Sequence, residues 1–264
     1  MKLDQEIFQI MNIVSSMTEW QSIRKKLKNK SIGFIPTMGN LHAGHLSLCQ
    51  RAMSENDITV TSIFVNQTQF NNQSDFTAYP RTVEQDQHLL QAEKIDYLLL
   101  PSINEIYADS DEFQIHETHL SNELEGEYRP GHFNGMLTVV LKFLNLVQPT
   151  KAYFGEKDYQ QLLLVEKMVE SLFLQTEIIS CKTIRAEDGL ALSSRNSRLT
   201  KDQREFAAHF PKLLHSDLTV SEIKNKLITL GFKVDYIAEK WQRRLGAVWI
   251  DNIRLIDNIE IKSC

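Results

Sequence analysis

Cysteine is scarce in this chain. Cys49, Cys181 and Cys264 are the only three; they are widely spaced and form no CxxC pair. An odd, scattered set argues against a disulfide framework and gives no zinc spacing, and it fits reduced thiols in a cytosolic protein. Long apolar runs are missing too, and none approaches the roughly 20 residues that a membrane-spanning helix needs. The opening MKLDQEIFQI mixes acids among its apolar residues and offers no small-residue cleavage site, which makes a poor signal peptide. Basic charge is not in excess: 29 Lys and Arg against 34 Asp and Glu leave a formal net charge of −5. Polyanion binders usually carry a basic surface, so neither a nucleic-acid nor a membrane partner is expected. There is no G-x-x-x-x-G-K-[ST], so the chain is not a P-loop NTPase. There is no G-x-S-x-G, which removes the usual serine-hydrolase elbow.

What the chain does contain is a regular alternation. Its 264 residues suffice for one large domain and a small one. Residues 7–29 read as a surface helix with a basic end. Strand-like runs recur at 32–35, 58–65, 96–100, 151–154 and 176–180, separated by helical patterns at 42–54, 82–94, 134–147 and 158–173. This predicts an α/β fold: a Rossmann-like, mostly parallel sheet with helices on both faces. Residues 101–131 are less regular. After residue 198 the pattern changes to helices at 201–214 and 219–231, then short strands near 233–238, 246–250 and 253–256. Residues 1–198 are thus expected to form the nucleotide-binding domain and 199–264 a small α+β C-terminal domain. Trp241 and Trp249 are candidates for packing the small domain, and Lys240, Arg243 and Arg244 are its basic residues most able to reach a phosphate.

Ligands on such sheets bind beyond the carboxyl ends of the strands. The turns after Ile35, Phe64 and Phe154 should therefore surround one crevice. The first is Pro36-Thr37-Met38-Gly39-Asn40-Leu41-His42-Ala43-Gly44-His45. With His42 in the turn and His45 in the first helical turn, both rings face a point beyond a helix N-terminus. Free N–H groups and a partial positive charge there suit a triphosphate. In Asn66-Gln67-Thr68-Gln69, clustered amides follow a strand and suit the hydroxyls and carboxylate of a small substrate. In Gly155-Glu156-Lys157-Asp158, Lys157 can meet a phosphate, and Asp158 can cap the next helix or bind a ribose hydroxyl. Ser193-Ser194-Arg195 offers two hydroxyls and a guanidinium fork for a polyphosphate. Each segment alone also reads as an ordinary polar loop or cap.

In combination they resemble one family. PTMGNLHAGH, SIFVNQTQF, YPRT, RPGHF, LVQPTKAYFGEKDYQQL and DGLALSSRNSRL stand in the order found in pantothenate synthetases (pantoate–β-alanine ligases). The resemblance covers roughly residues 30–200 and continues weakly to RLIDN at 254–258. It implies an HxGH nucleotidyltransferase domain followed by a lid. It also implies a reaction in which ATP and Mg²⁺ drive condensation of pantoate with β-alanine through a pantoyl adenylate, releasing AMP and pyrophosphate. A cytoplasmic homodimer is implied as well. Carried over by position, Met38, Gly39, Asn40, Leu41, His42, Ala43, Gly44 and His45 line the ATP site, with His45 and His42 stabilising the phosphates. Gly155, Glu156, Lys157 and Asp158 complete that site together with Leu192, Ser193, Ser194 and Arg195. Ile184 touches adenine. Gln69 and Gln161 hold pantoate, Asn66 lies near the reacting carboxylate, and Asp86 is the magnesium candidate. The chain departs from the pattern at Gln67-Thr68, where Pro-Met is usual, at Asn134, where arginine is common, and in its shorter C-terminal domain. Losing that proline should loosen the loop.

Two other activities share the HxGH signature: a nucleotidyltransferase that leaves its nucleotide on a phosphorylated metabolite, and a non-catalytic RNA-binding relative of class I tRNA synthetases. The amides at 66–69 favour an unphosphorylated hydroxy acid, and the acidic balance disfavours RNA.

Overall fold

The computed structural model describes residues 10–261. A six-stranded sheet, parallel throughout, has the spatial order β1-β4-β3-β2-β5-β6. Its strands are β1 (Asn12–Val14), β2 (Ile32–Thr37), β3 (Ile58–Ile63), β4 (Tyr97–Leu99), β5 (Lys151–Gly155) and β6 (Glu177–Cys181). The chain leaves β2 on one side towards β3 and β4, then returns to its other side with β5 and β6. The β2/β5 boundary is therefore the switch point, where such sheets open a crevice. Pairing between β2 and β5 runs through Gly33 and Phe34, whereas β2 stays paired with β3 through Thr37. Pro36, which has no N–H to give a ladder, sits where β2 has parted from β5.

The expected helix over 7–29 is corrected. Residues 7–9 lie outside the described segment, and Asn12–Val14 form a strand that extends the sheet beside β4. The helix that follows, α1 (Met17–Lys26), starts at Ser16, whose side chain caps Glu19 N. The other helices are α2 (Ala43–Glu55), α3 (Gln73–Thr77), α4 (Val83–Ala92), α5 (Ile103–Ile106), α6 (Glu125–Tyr128), α7 (His132–Val147) and α8 (Tyr159–Ser171). Helix α7 buries 11 of its residues, more than a single face can hold, because it lies between the sheet and α1 and α8.

Beyond residue 198 come α9 (Lys201–Ala207), α10 (His209–Leu214) and α11 (Val220–Leu230), then the antiparallel sheet β7 (Lys233–Lys240), β8 (Arg243–Ile250) and β9 (Ile253–Glu260). The helical run expected over 201–214 breaks at Ala208, ahead of Pro211. Capping boxes at Thr200/Gln203 and Thr219/Glu222 start α9 and α11. This part has its own core, including Phe210, Leu214, Ile223, Leu227 and Val248, and it draws in Leu190 from the preceding segment.

Candidate active site

The turn after β2 makes His42 the N-cap of α2. Its Nδ1 accepts the Gly44 backbone N–H at 3.1 Å, so a neutral ring carries its proton at Nε2. Only glycine fits at 44: a Cβ there would lie 2.9 Å from the His42 ring. The His45 ring lies tilted against that of His42, 4.1 Å centroid to centroid. His45 Nδ1 is buried without a protein partner. Burial first, then the Lys157 ammonium, pulls His42 down to about 4, with Asp158 opposing. Burial, His42 and Lys157 pull His45 down to about 3. Both rings are held in the neutral form near pH 7.

The loop is held from two sides. Asp86 accepts the backbone N–H groups of Asn40 at 2.9 Å and Leu41 at 2.8 Å, plus the Thr82 hydroxyl at 3.1 Å. Asn40 Nδ2 donates to Ser194 O at 3.0 Å, and Ser194 Oγ returns a bond to Asn40 O at 3.1 Å. This brings the Ser193–Arg195 segment against the histidine loop.

A cavity of about 220 Å³ lies over the switch point. Met38, His42, Gly44, His45, Asn66, Gln69, Gly155, Lys157, Asp158, Gln161, Ile184, Leu192, Ser193, Ser194 and Arg195 all line it. Residues as far apart in the chain as Met38 and Arg195 thus meet as the sequence predicts. Other predicted residues stand behind it. Gly39, Asn40, Leu41 and Ala43 shape the loop but do not line the cavity. Glu156 turns away, accepting from Ser180 Oγ at 2.9 Å and Arg243 at 2.8 Å. Asp86 is corrected: it is 1% exposed and its oxygens are taken up by backbone amides, so it organises the loop rather than offering itself to a metal. Among the described residues no cluster of three or more His, Cys, Asp or Glu side chains could hold a metal ion.

Asn66 is also recast. Its Nδ2 donates to Gly135 O and Gln69 Oε1, each at 3.1 Å. Its Oδ1 accepts from Tyr107 OH at 2.7 Å and Thr68 Oγ1 at 3.0 Å. A backbone carbonyl only accepts, so Gly135 fixes which end of the Asn66 amide is nitrogen. Gln69 must then present Oε1 to Asn66, leaving Nε2 for a ligand. Both ends of the Asn66 amide are thus hydrogen-bonded within the protein, and one of those bonds fixes Gln69. The turn Gln67–Gln69 is held by the Thr68 hydroxyl where a stiffening proline is absent, and helix α7 presses so close that a Cβ at Gly135 would lie 2.4 Å from Thr68 O.

Arg195 pairs with Asp75 at 2.8 Å and Arg198 with the same carboxylate at 2.9 Å. A second cavity, about 430 Å³, continues towards the C-terminal sheet and shares Arg129, Lys157, Asp158, Ser193 and Arg195 with the first. The C-terminal part grips the Lys157 loop: Asn258 Nδ2 donates to Glu156 O at 2.8 Å and Lys157 O at 2.9 Å. The basic residues expected to reach phosphate are otherwise engaged. Lys240 bonds Glu123, Arg243 bonds Glu156, and Arg244 faces the carbonyls of Leu214 and Ser216. Arg129, His132 and Tyr79 also line the cavity and Tyr107 bonds Asn66, although none was named as a site residue from the sequence; YPRT contains Tyr79. RPGHF was the available signal for the first two.

The pantoate–β-alanine ligase family model matches residues 9–260. A pantothenate synthetase of Coxiella burnetii (strain Dugway 5J108-111) is 54% identical over 247 residues, covering 94% of this chain and 96% of that protein. One from Legionella pneumophila (strain Lens) is 52% identical over 249 residues, covering 94% and 99%. Among solved structures, the Francisella tularensis pantoate–β-alanine ligase complexed with β,γ-ATP and β-alanine superposes with a TM-score of 0.91 at 44% identity, covering 95% of this chain and 97% of that one. The pantothenate synthetase of Thermus thermophilus gives 0.89 at 39%, covering 96% and 100%. With the histidine turn, the amide turn and the Lys157 and Ser193–Arg195 segments around one sheet switch point, and with relatives this similar along nearly the whole length, the chain belongs to the pantoate–β-alanine ligase family.

Proposed function

We propose that the switch-point crevice carries out the family's reaction, with the residue roles that follow. The enzyme condenses pantoate with β-alanine, using ATP and passing through pantoyl adenylate, with AMP and pyrophosphate as the other products. A carboxylate is a poor acyl donor because its leaving group would be oxide. Attack of the pantoate carboxylate oxygen on the α-phosphorus breaks the bond to pyrophosphate and leaves AMP as the later leaving group. Negative charge builds on the phosphate oxygens in that step. The N–H groups of neutral His42 and His45, the Lys157 ammonium, the Ser193 and Ser194 hydroxyls and the Arg195 guanidinium stabilise it, and positioning does much of the rest. The β-alanine amine, neutral when it attacks, then takes the acyl carbon and expels AMP.

Gln69 Nε2 and Gln161 hold pantoate, and Ile184 and Leu192 flank the nucleotide. Mg²⁺ enters as part of the nucleotide substrate, bound by phosphate oxygens. Residues 199–264 act as a lid that keeps water from the mixed anhydride. The resemblance supports a cytoplasmic homodimer, and among the described residues no helix is long and apolar enough to cross a membrane.

The observation that carries this reading is the pair of neutral imidazoles at the start of α2, facing Lys157 across a cavity that also holds Gln69 and Gln161. The test is isotope exchange. Pantoate-dependent exchange between ATP and pyrophosphate without β-alanine is expected, and the complete reaction should release AMP and pyrophosphate in equal amounts. Release of ADP would overturn the adenylate mechanism.

A further inference from the structure

We propose that His132 is a positioning residue, which fixes the backbone of Gln69 and ties it through Arg129 and Glu125 to the C-terminal sheet. The proposal rests on the assignment of Gln69 to pantoate made above.

The tautomer of His132 follows from its two neighbours. Arg129 NH1 lies 3.0 Å from Nε2, and a guanidinium has only donors, so Nε2 must be the bare, accepting nitrogen. A neutral ring then carries its proton at Nδ1, which lies 2.9 Å from Gln69 O. A carbonyl accepts, so the two contacts agree on one ring state. The ring is 6% exposed and both nitrogens are satisfied. Protonating Nε2 would set an N–H against the guanidinium, and burial opposes that charge as well.

Arg129 continues the chain. Its NH1 lies 3.6 Å from Glu125 Oε2. The Glu125 carboxylate takes both arms of Arg254 at 2.7 and 2.8 Å and the Tyr236 hydroxyl at 2.9 Å. Arg254 lies on β9 and Tyr236 on β7. An unbroken polar path thus runs from the C-terminal sheet to the turn that carries Gln69. At the far end Asn66 holds Gln69 Oε1. Both carbonyl groups of Gln69 are bound, and the side-chain N–H₂ is the group presented to a ligand. A ring needed only for packing would have no use for this particular pair of polar contacts.

Two substitutions separate the ring's two contacts in the full-length protein. In His132→Asn the amide nitrogen can take the place of Nδ1 and still donate to Gln69 O, but the link to Arg129 is lost. In His132→Gln the amide reaches the Nε2 position and can accept from Arg129, but the donor to Gln69 O is lost. Calorimetry with pantoate should show His132→Gln weakened about tenfold, the scale of one lost hydrogen bond, while ATP affinity stays near that of the parent. His132→Asn should retain most of the pantoate affinity. Equal effects of the two variants on pantoate, or parallel losses for pantoate and ATP, would overturn the positioning role. Gln69→Ala guards the premise: unchanged pantoate affinity there overturns the Gln69 assignment, and with it this proposal. A Gln69→Ala loss without a His132→Gln loss overturns this proposal alone. A second readout does not use the His132 variants. ¹⁵N spectra of histidine-labelled parent protein should show a ring protonated at Nδ1 and bare at Nε2. His215 also meets a carbonyl through Nδ1, at 2.8 Å from Pro211 O, so His215→Asn is the control. If no Nδ1-protonated ring remains in His215→Asn that keeps the parent's ATP affinity, the assigned tautomer is wrong and the proposal falls.

Discussion

Leu41 donates its backbone N–H to Asp86 Oδ1 at 2.8 Å, across 45 positions of sequence. With the matching bond from Asn40 to Oδ2, the carboxylate clamps the loop just before the two histidines. Asp86→Ala leaves two amides without their acceptor. It should cost about 1–3 kcal/mol, the scale of a buried group left unsatisfied, and raise the KM for ATP. Denaturant midpoints and steady-state kinetics check this. A shift confined to the Mg²⁺ requirement, at unchanged stability, would return Asp86 to the metal.

His42 and His45 lie well below the ordinary imidazole value of 6.5, at about 4 and about 3. Neither should titrate between about pH 6 and about pH 8, so the activity profile there should show no step from these rings. The unfolded chain binds more protons than the folded one between the folded values and 6.5. Their contribution to stability is therefore fully present above 6.5 and is lost as pH falls through about 4 for His42 and about 3 for His45. Denaturant titrations across that range, compared with His42→Ala/His45→Ala, isolate it. Separately, His45→Ala should lower kcat by about 10²–10³, as for a lost oxyanion donor. A raised KM at near-normal kcat would make His45 a residue of uniform binding.

Asp75 pairs with Arg195 and Arg198 at once, so the trio keeps an excess positive charge. Burial raises its pKa, but the two guanidiniums outweigh burial and hold the carboxyl below its ordinary range. A phosphate approaching Arg195 must compete with that carboxylate. Asp75→Asn should therefore lower the KM for ATP by about two- to fivefold, the scale of a partly exposed ion pair. A raised KM would mean that Asp75 aims Arg195 instead of competing for it.

Arg243 and Arg244 are adjacent but bond in different directions. Arg243 reaches Glu156 at 2.8 Å and stacks 4.1 Å from the Tyr159 ring centroid, joining β8 to the nucleotide loop. Arg244 bonds inside the C-terminal part. Arg243→Ala should raise the ratio of AMP released to pantothenate formed above unity, because water gains access to the anhydride. Arg244→Ala should destabilise the protein by about 1–3 kcal/mol and leave that ratio unchanged. Identical ratios in both variants would remove Arg243 from any role in closure.

The sheet and its crevice were legible because β-branched runs and polar turns are local signals. The strand Asn12–Val14 was not, because three residues beside a longer helical pattern carry too little periodicity. Asp86 was visible as a residue after YPRT, but its role rests on bonds to Asn40 and Leu41 that no local pattern encodes. Asn66 was placed correctly in the amide turn. That it bonds Gly135, Tyr107 and Gln69 depends on partners up to 69 positions away. Arg244 illustrates the same limit: charge is read from sequence, while the direction of a side chain on a strand is set by register and partners.

The reciprocal bonds between Asn40 and Ser194 join loops separated by 154 positions. On a ribosome the histidine turn emerges long before the serine–arginine segment that completes it. A nascent chain that stops short of residue 194 carries the rings of the nucleotide pocket without their opposing wall, so premature termination products should not consume ATP. Contacts this distant in sequence also close late, because loop closure must precede them. The nucleotide pocket is thereby tied to synthesis past residue 194 rather than to the folding of any early segment.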